Sequence, residues 1–184
     1  LPAFTGGGPA GTAAKGDTAS APAAAPADTT PAAAPATTSE WTAGTVAVNR
    51  STRGVTVLRA LRVGRNTGFD RVVLEFAGSE IPGYHVEYVD RPIRRCGSGD
   101  TTPVAGDAWL RIRLEPAQAH TDAGQPTVGE RERALTLPVL REMEMTCDFE
   151  GQVEVVLGVA RPNRFRVTEV RSPGPPRLAI DVQQ

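Results

Sequence analysis

The chain has 184 residues, with 20 lysines and arginines against 21 aspartates and glutamates, so its formal net charge is −1. This length suits one domain with a tail, and the near balance of charge removes any general electrostatic reason to expect nucleic acid or an acidic membrane as a partner. No apolar stretch approaches the roughly 18 residues that a membrane span requires.

Residues 1–40 differ in composition from the rest of the chain. The stretch "TASAPAAAPADTTPAAAPATTSE" at 18–40 has almost no large apolar side chains, so it cannot offset the entropy lost on ordering. We predict a disordered, Ala/Pro/Thr-rich linker over residues 1–40. It is either a spacer that holds the body away from an anchor or an inert leader. Because the chain begins at Leu1 rather than at methionine, we expect any export signal or lipid anchor to lie upstream.

From Trp41 onward, apolar and polar residues alternate in short runs separated by turn residues, which is typical of half-buried strands. No run shows a long 3.6-residue repeat, and one-sided alternation argues against a parallel α/β sheet. We predict that residues 41–184 form one all-β domain, an antiparallel two-sheet β-sandwich. The predicted strands are 55–63, 71–76, 84–90, 109–115, 141–147, 152–159, 164–170 and 177–182.

The segment "GFDRVVLEFAG" at 68–78 places an Asp-Arg pair where one of these strands begins. Arg71 alternates with the apolar set and is expected on the outer face, whereas Asp70 has the parity of the core. We expect Asp70 to lie at the rim of the sheet and to accept hydrogen bonds from turn N–H groups. This predicts a structural corner rather than a site.

Residues 116–138 are too long and too polar for a hairpin turn. Long loops in compact domains are often functional or mobile. We expect a weakly helical piece near 129–135.

Cys96 and Cys147 are the only cysteines. A disulfide, two buried free thiols, a metal half-site and a catalytic thiol are the alternatives. With two histidines and no CxxC motif, zinc would be poorly supplied with ligands. Because the tail is typical of exported proteins, which mature in oxidising compartments, we favour a disulfide between the two cysteines.

The sequence offers little catalytic chemistry, since it has no GxSxG, HExxH, SxxK or phosphate-binding glycine loop. Ser98 and Asp100 lie in a segment with the composition of an ordinary turn. His120 and Asp122 are two residues apart in a polar loop. Glu142 and Glu144 share one face of a strand rather than facing each other across a cleft. We therefore predict that the protein is not an enzyme and that it has no metal site and no cofactor.

Trp109, Arg111 and Arg113 form the candidate ligand-binding stripe. If Leu110 and its apolar partners lie in the core, these three residues share the opposite face, where they could stack a sugar ring and pair with a carboxylate. Alternatively, Trp109 covers a sheet edge and the arginines extend over it. Lys15 is the only lysine, which reflects either GC-rich codon usage or selection for arginine at an anion-binding face.

Several segments are similar to the AMIN-like domain, and the resemblance covers about residues 53–184. "GFDRVVLEF" and the closing "PPRLAIDV" are its most specific parts, supported by "PGYHVEYVDRPI" and "CDFEGQVEVVLGV". The resemblance implies a secreted protein or lipoprotein of GC-rich bacteria. It also implies a β-sandwich related to the AMIN domain of envelope amidases and secretins, which is linked to peptidoglycan contact.

We therefore predict an exported, non-catalytic module on the extracellular or cell-wall side of the envelope that binds peptidoglycan or another cell-wall polymer. The alternative is a structural or interaction domain that binds another envelope protein through a sheet edge or the 116–138 loop. An enzyme that uses His120 and Asp122 would need a pocket around them.

Overall fold

The computed structural model describes residues 37–171 and 173–184, and in this part of the chain it contains twelve strands and no helix. The strands are β1 (Thr37–Thr38), β2 (Val46–Val48), β3 (Thr56–Asn66), β4 (Phe69–Phe76), β5 (Gly83–Val89), β6 (Ala108–Glu115), β7 (Ala117–Gln118), β8 (Glu132–Ala134), β9 (Leu140–Phe149), β10 (Gln152–Val159), β11 (Phe165–Val170) and β12 (Arg177–Gln183).

The strands form two six-stranded sheets. Sheet A has the order β1-β11-β12-β4-β3-β7, and sheet B has the order β2-β5-β6-β10-β9-β8. All neighbours are antiparallel except β3 and β7, which are parallel. The predicted all-β, two-sheet architecture is confirmed.

The core lies between the two sheets, as the alternation requires. Val72 and Leu74 from β4 are fully buried, as are Leu110, Ile112 and Leu114 from β6. Burying each such side chain stabilises the fold by about 1.5–3 kcal/mol. Because successive residues of a strand point to opposite faces, the residues between them lie on the outer faces, where ligands can reach them.

All eight predicted strands are present, but four short strands were not predicted. β1, β2, β7 and β8 have two or three residues each, which is too short for a periodic pattern to emerge. The prediction of a helical piece near 129–135 was wrong. Residues Glu132–Ala134 form β8 and pair with Glu142–Glu144 of β9, so sheet pairing overrides the helix propensity of this charged segment.

The N-terminal boundary also differs from the expected one. Residues 37–40 were assigned to the disordered linker, but Thr37 and Thr38 pair with β11. Ser39 donates its N–H to the carbonyl of Val167 at 2.8 Å, and the Val167 N–H donates to Ser39 Oγ at 2.8 Å. The hydroxyl therefore holds this segment on the sheet edge. The rest of the predicted linker, residues 1–36, lies outside the described residues.

The 116–138 loop packs against the sandwich. Its Ala119 and Val128 are buried in the core cluster, and Arg131 Nη2 and His120 Nδ1 lie 2.7 Å and 2.8 Å from the two carboxylate oxygens of Asp148. Burial raises the pKa of Asp148, but hydrogen bonds from the Ala119 N–H, Arg131 and His120 outweigh it and hold the pKa below the usual 3.8. These interactions with the Asp148 carboxylate thus attach the loop to β9.

Candidate functional site

The disulfide fixes a loop over the outer face of sheet B. Cys96 and Cys147, 51 residues apart, are bonded, which confirms the predicted bridge. We call residues 90–107 the cover loop. Its Ile93 and Val104 pack on Val156 of β10 in a small apolar cluster separate from the main core.

The cover loop also donates hydrogen bonds to two carboxylates of β9. Glu142 Oε2 accepts the Ala105 N–H at 2.6 Å. Glu144 is 1% exposed, and its Oε1 accepts hydrogen bonds from Arg95 Nη2 at 2.5 Å and Thr102 Oγ1 at 2.8 Å. These glutamates therefore hold the loop in place, and they do not face each other across a cleft.

The predicted stripe lies on the outer face of sheet B, but the ring of Trp109 is already covered. Arg91 stacks over it, with its guanidinium carbon 4.3 Å from the ring centroid. The indole Nε1 donates to the Val104 carbonyl at 3.0 Å. The aromatic surface that was expected to stack a sugar is thus occupied by the cover loop.

The two arginines of the stripe have acidic partners. Arg111 Nη2 lies 2.5 Å from Glu87, and its Nε lies 3.8 Å from Glu154. Burial raises the pKa of Glu87, but hydrogen bonds from Arg111 and His85 outweigh it and lower the pKa below 4.5. Arg111 therefore links three strands as part of an ion-pair ladder.

Arg113 is the most accessible member of the stripe. Its side chain is 46% exposed and pairs with Glu115 at 3.1 Å, and exposed pairs of this kind contribute only about 0–1 kcal/mol. Arg113 also lines an open groove of about 420 Å³, together with His85 and Arg50. A ligand could therefore displace Glu115 at low cost.

The weak catalytic candidates do not assemble into a site. His120 binds Asp148 rather than Asp122, and Asp122 receives only a 3.5 Å contact from Gln118. Ser98 Oγ accepts the Asp100 N–H at 3.2 Å, as in an ordinary turn. Within residues 37–171 and 173–184, no group of three or more histidine, cysteine or acidic residues is placed to hold a metal ion.

The described residues also contain no helix that could span a membrane.

The outer face of sheet A carries a second group of aromatic and cationic side chains, which we call the aromatic–arginine cluster: Trp41, Phe69, Arg71, Arg166 and Asp181. The sheet register places Arg71, Asp181 and Arg166 side by side on β4, β12 and β11. Asp181 is fully buried. Its two oxygens accept hydrogen bonds from Arg71 Nε at 2.6 Å, Arg71 Nη2 at 2.9 Å and Arg166 Nε at 2.8 Å.

Two aromatic rings lie beside these guanidinium groups. The Arg166 guanidinium carbon is 4.5 Å from the Trp41 ring centroid and 5.3 Å from that of Phe69, and Arg71 lies 5.1 Å from Phe69. The two rings tilt towards each other with centroids 6.3 Å apart. Stacking on aromatic faces holds both arginines in fixed positions.

The cluster carries more positive than negative charge, unlike the stripe. One carboxylate faces two guanidinium groups, and the hydrogen bond with Asp181 raises the pKa of Arg71 despite partial burial. Arg71 and Arg166 are 35% and 28% exposed. Among the contacts of the described residues, Arg166 donates only through Nε, which leaves its two Nη groups for an anion.

The sequence pattern indicated only part of this cluster. Arg71 was expected on the outer face and lies there, but Trp41, Arg166 and Asp181 were not singled out. The alternation in "RFRVTEV" and "RLAIDV" places Arg166 and Asp181 on outer faces. Only knowledge of which strands are neighbours brings them to Arg71.

One family model covers most of the chain. The family model described as the AMIN-like domain matches residues 56–184. No curated protein and no solved structure matches the chain. The match spans β3 to β12 and includes all of the aromatic–arginine cluster except Trp41. The chain therefore belongs to the AMIN-like domain family.

Proposed function

We propose that this protein is a non-catalytic module of the cell envelope that binds an acidic cell-wall polymer, with peptidoglycan as the first candidate, through the aromatic–arginine cluster. The observation that carries the proposal is the excess of positive charge beside two aromatic rings on an outer sheet face. Membership in the AMIN-like family supports an envelope-associated binding role.

The chemistry of the cluster suits such a polymer. Trp41 and Phe69 are partly exposed, and the ring surfaces that Arg71 and Arg166 leave uncovered can contact the C–H face of a sugar. The free Nη groups of Arg166 can donate to a carboxylate in the paired geometry that guanidinium groups favour. Peptidoglycan offers both sugar rings and carboxylates along one chain.

The disulfide supports an extracytoplasmic location, since disulfides form and persist in oxidising compartments. It bridges an exposed cysteine of the cover loop, Cys96, to Cys147 on β9. Together with family membership, it favours export to the envelope.

The stripe of Trp109, Arg111 and Arg113 is the alternative contact surface. Its acidic neighbours Glu87, Glu115 and Glu154 balance its cations, so we rank it below the cluster. Arg113 is the member through which a polymer carboxylate would bind, because its guanidinium is exposed and lines the groove.

Co-sedimentation of the full chain with purified cell-wall sacculi tests the proposal. We compare the wild type with a Trp41→Ala, Arg166→Ala double variant and, as the matched control on the other sheet, a Trp109→Ala, Arg113→Ala double variant. Each pair removes one indole and one guanidinium, and thermal unfolding identifies any variant that fails to fold.

The proposal predicts that the wild type pellets and that the Trp41/Arg166 variant binds at least about tenfold more weakly, because a charge-assisted hydrogen bond and an aromatic contact are both lost. The control variant should bind nearly as well as the wild type. If only the control variant loses binding, the stripe is the contact surface. If the wild type does not pellet at moderate salt, wall binding is rejected.

A further inference from the structure

The edges of the two sheets are protected to different degrees. On β11, Thr37–Thr38 pair with Thr168 and Glu169, and Ser39 and Thr42 bind the backbone of Val167 and Phe165. β7 pairs with β3 only at Thr56 and Val57. Over residues 59–66, the described part of the chain supplies a strand only on the β4 side.

This open edge is long enough to accept a strand. At about 3.3 Å per residue, residues 59–66 extend over roughly 25 Å. A β-bulge between Leu58 and Ala60 marks one end, and the Thr67–Gly68 turn marks the other. Alternate residues of an edge strand direct their N–H and C=O groups away from the sheet, so this edge presents a row of unpaired backbone groups.

The side chains of the edge differ between its two faces. Leu61 and Val63 have the parity of the core and pack against it, but they are only partly buried. An added strand would complete their burial if it placed apolar residues on the same face. The inner face of the edge therefore favours an apolar residue at every second position of the occupant.

Three arginines make the edge cationic. Arg59 and Arg62 are 56% and 60% exposed, and both pair with the single carboxylate of Glu75, at 3.2 Å and 3.0 Å. Arg65, near the turn end of the edge, is also exposed, although it has the parity of Leu61. Three guanidinium groups against one carboxylate leave an excess of positive charge along the edge.

This charge decides between two classes of occupant. A second copy of the chain, paired edge to edge through β3, would oppose arginines to arginines, and like charges across a strand pair are destabilising. The same arginines would attract carboxylates. We infer that the β3 edge docks an extended acidic segment of a partner protein, which alternates apolar and acidic residues and adds a strand to sheet A. This inference is independent of the proposed polymer site.

Amide chemical-shift mapping on the ¹⁵N-labelled full chain tests the inference. The probe is a capped eight-residue peptide that alternates Glu and Val, and the comparison peptide alternates Lys and Val. Two further Glu/Val peptides carry N-methyl groups, one on every Glu and the other on every Val. Only one of these two sets of N–H groups would face β3.

We expect saturable binding of the Glu/Val peptide with shifts concentrated at residues 59–66, and no binding of the Lys/Val peptide. One N-methylated peptide should lose binding while the other keeps it. An Arg62→Glu, Arg65→Glu variant should bind about tenfold more weakly, whereas Arg161→Glu, an exposed control away from the edge, should not.

Three results would overturn the inference. The first is no binding of the Glu/Val peptide. The second is equal binding of both N-methylated peptides, which would show charge attraction without strand pairing. The third is shifts located away from residues 59–66.

Discussion

Asp70 on β4 accepts the backbone N–H of Val139, from the segment that leads into β9, at 2.8 Å. The same oxygen, Oδ2, accepts the Leu140 N–H at 3.1 Å, while Oδ1 accepts Gln184 Nε2 at 3.0 Å. Asp70 belongs to sheet A and Leu140 to sheet B, so one fully buried carboxylate joins the two sheets. The neighbouring Arg71 points to the outer face and binds Asp181. Adjacent residues of "GFDR" thus serve the core and the surface.

Replacing Asp70 with alanine should lower the free energy of unfolding by about 2–4 kcal/mol, because two buried N–H groups lose their acceptor. Asp70→Asn should cost less, since the amide oxygen can still accept them. Urea unfolding monitored by circular dichroism measures both. Equal losses for the two variants would contradict the role of Asp70 as a hydrogen-bond acceptor between the sheets.

Opening the disulfide should destabilise the fold. The bridge closes a loop of 51 residues, for which the chain-entropy model gives about 4 kcal/mol. A Cys96→Ser, Cys147→Ser variant should show this loss in chemical unfolding, and a reductant should weaken the wild type but leave the variant unchanged. An unaltered unfolding midpoint for the variant would show that the bridge contributes nothing.

Gly158 permits the close approach of the cover loop to β10. A Cβ added there would lie 1.8 Å from the carbonyl oxygen of Ala105, so the loop would have to move. Gly158→Ala should therefore cost about 1–3 kcal/mol and increase the exposure of Trp109, which acrylamide quenching in a Trp41→Phe background can measure. Gly97→Ala, where no atom lies within 4 Å, is the matched control. If the two variants behave alike, the cover loop is not held against Gly158.

Glu169 should contribute to the acid sensitivity of the fold. It accepts hydrogen bonds from Arg50 Nη2 at 2.5 Å, Tyr84 Oη at 2.9 Å and Arg171 Nη2 at 2.9 Å. Burial raises its pKa, but the hydrogen bonds from Arg50 and Tyr84 outweigh it and lower the pKa below 4.5. The native state therefore binds this proton less readily than the unfolded chain does.

It follows that the contribution of Glu169 to stability is fully present above about pH 4.5 and is lost as the pH falls through the lowered pKa. Glu169→Gln should be less stable than the wild type at pH 7, and its stability should fall less steeply on acidification below pH 4.5. Thermal unfolding between pH 7 and pH 2 measures this, with Glu132→Gln as an exposed control. A variant as acid-sensitive as the wild type would reject the assignment.

The sequence predicted the strands and most of their faces because residues two apart in a strand share a side. The exception is Cys147, which a bulge in β9 places on the face opposite to Met145. Val72 and Leu74 were expected inside and Arg71 outside, and the structure agrees. The disulfide was favoured because the metal and catalytic alternatives lacked partner residues and because the chain carries a tail typical of exported proteins. The four short strands escaped prediction because two or three residues carry no period.

The candidate site depended on information that alternation does not contain. Arg71 and Asp181 are 110 residues apart, and they meet only because β12 is inserted beside β4 in sheet A. Likewise, the parity of Trp109 placed it on the outer face but could not show that the cover loop would lie over it. Local sequence thus determined which way each side chain points, through the pleat of the strand. Only the tertiary structure, through strand order and loop packing, decided which side chains became neighbours and which remained open to a ligand.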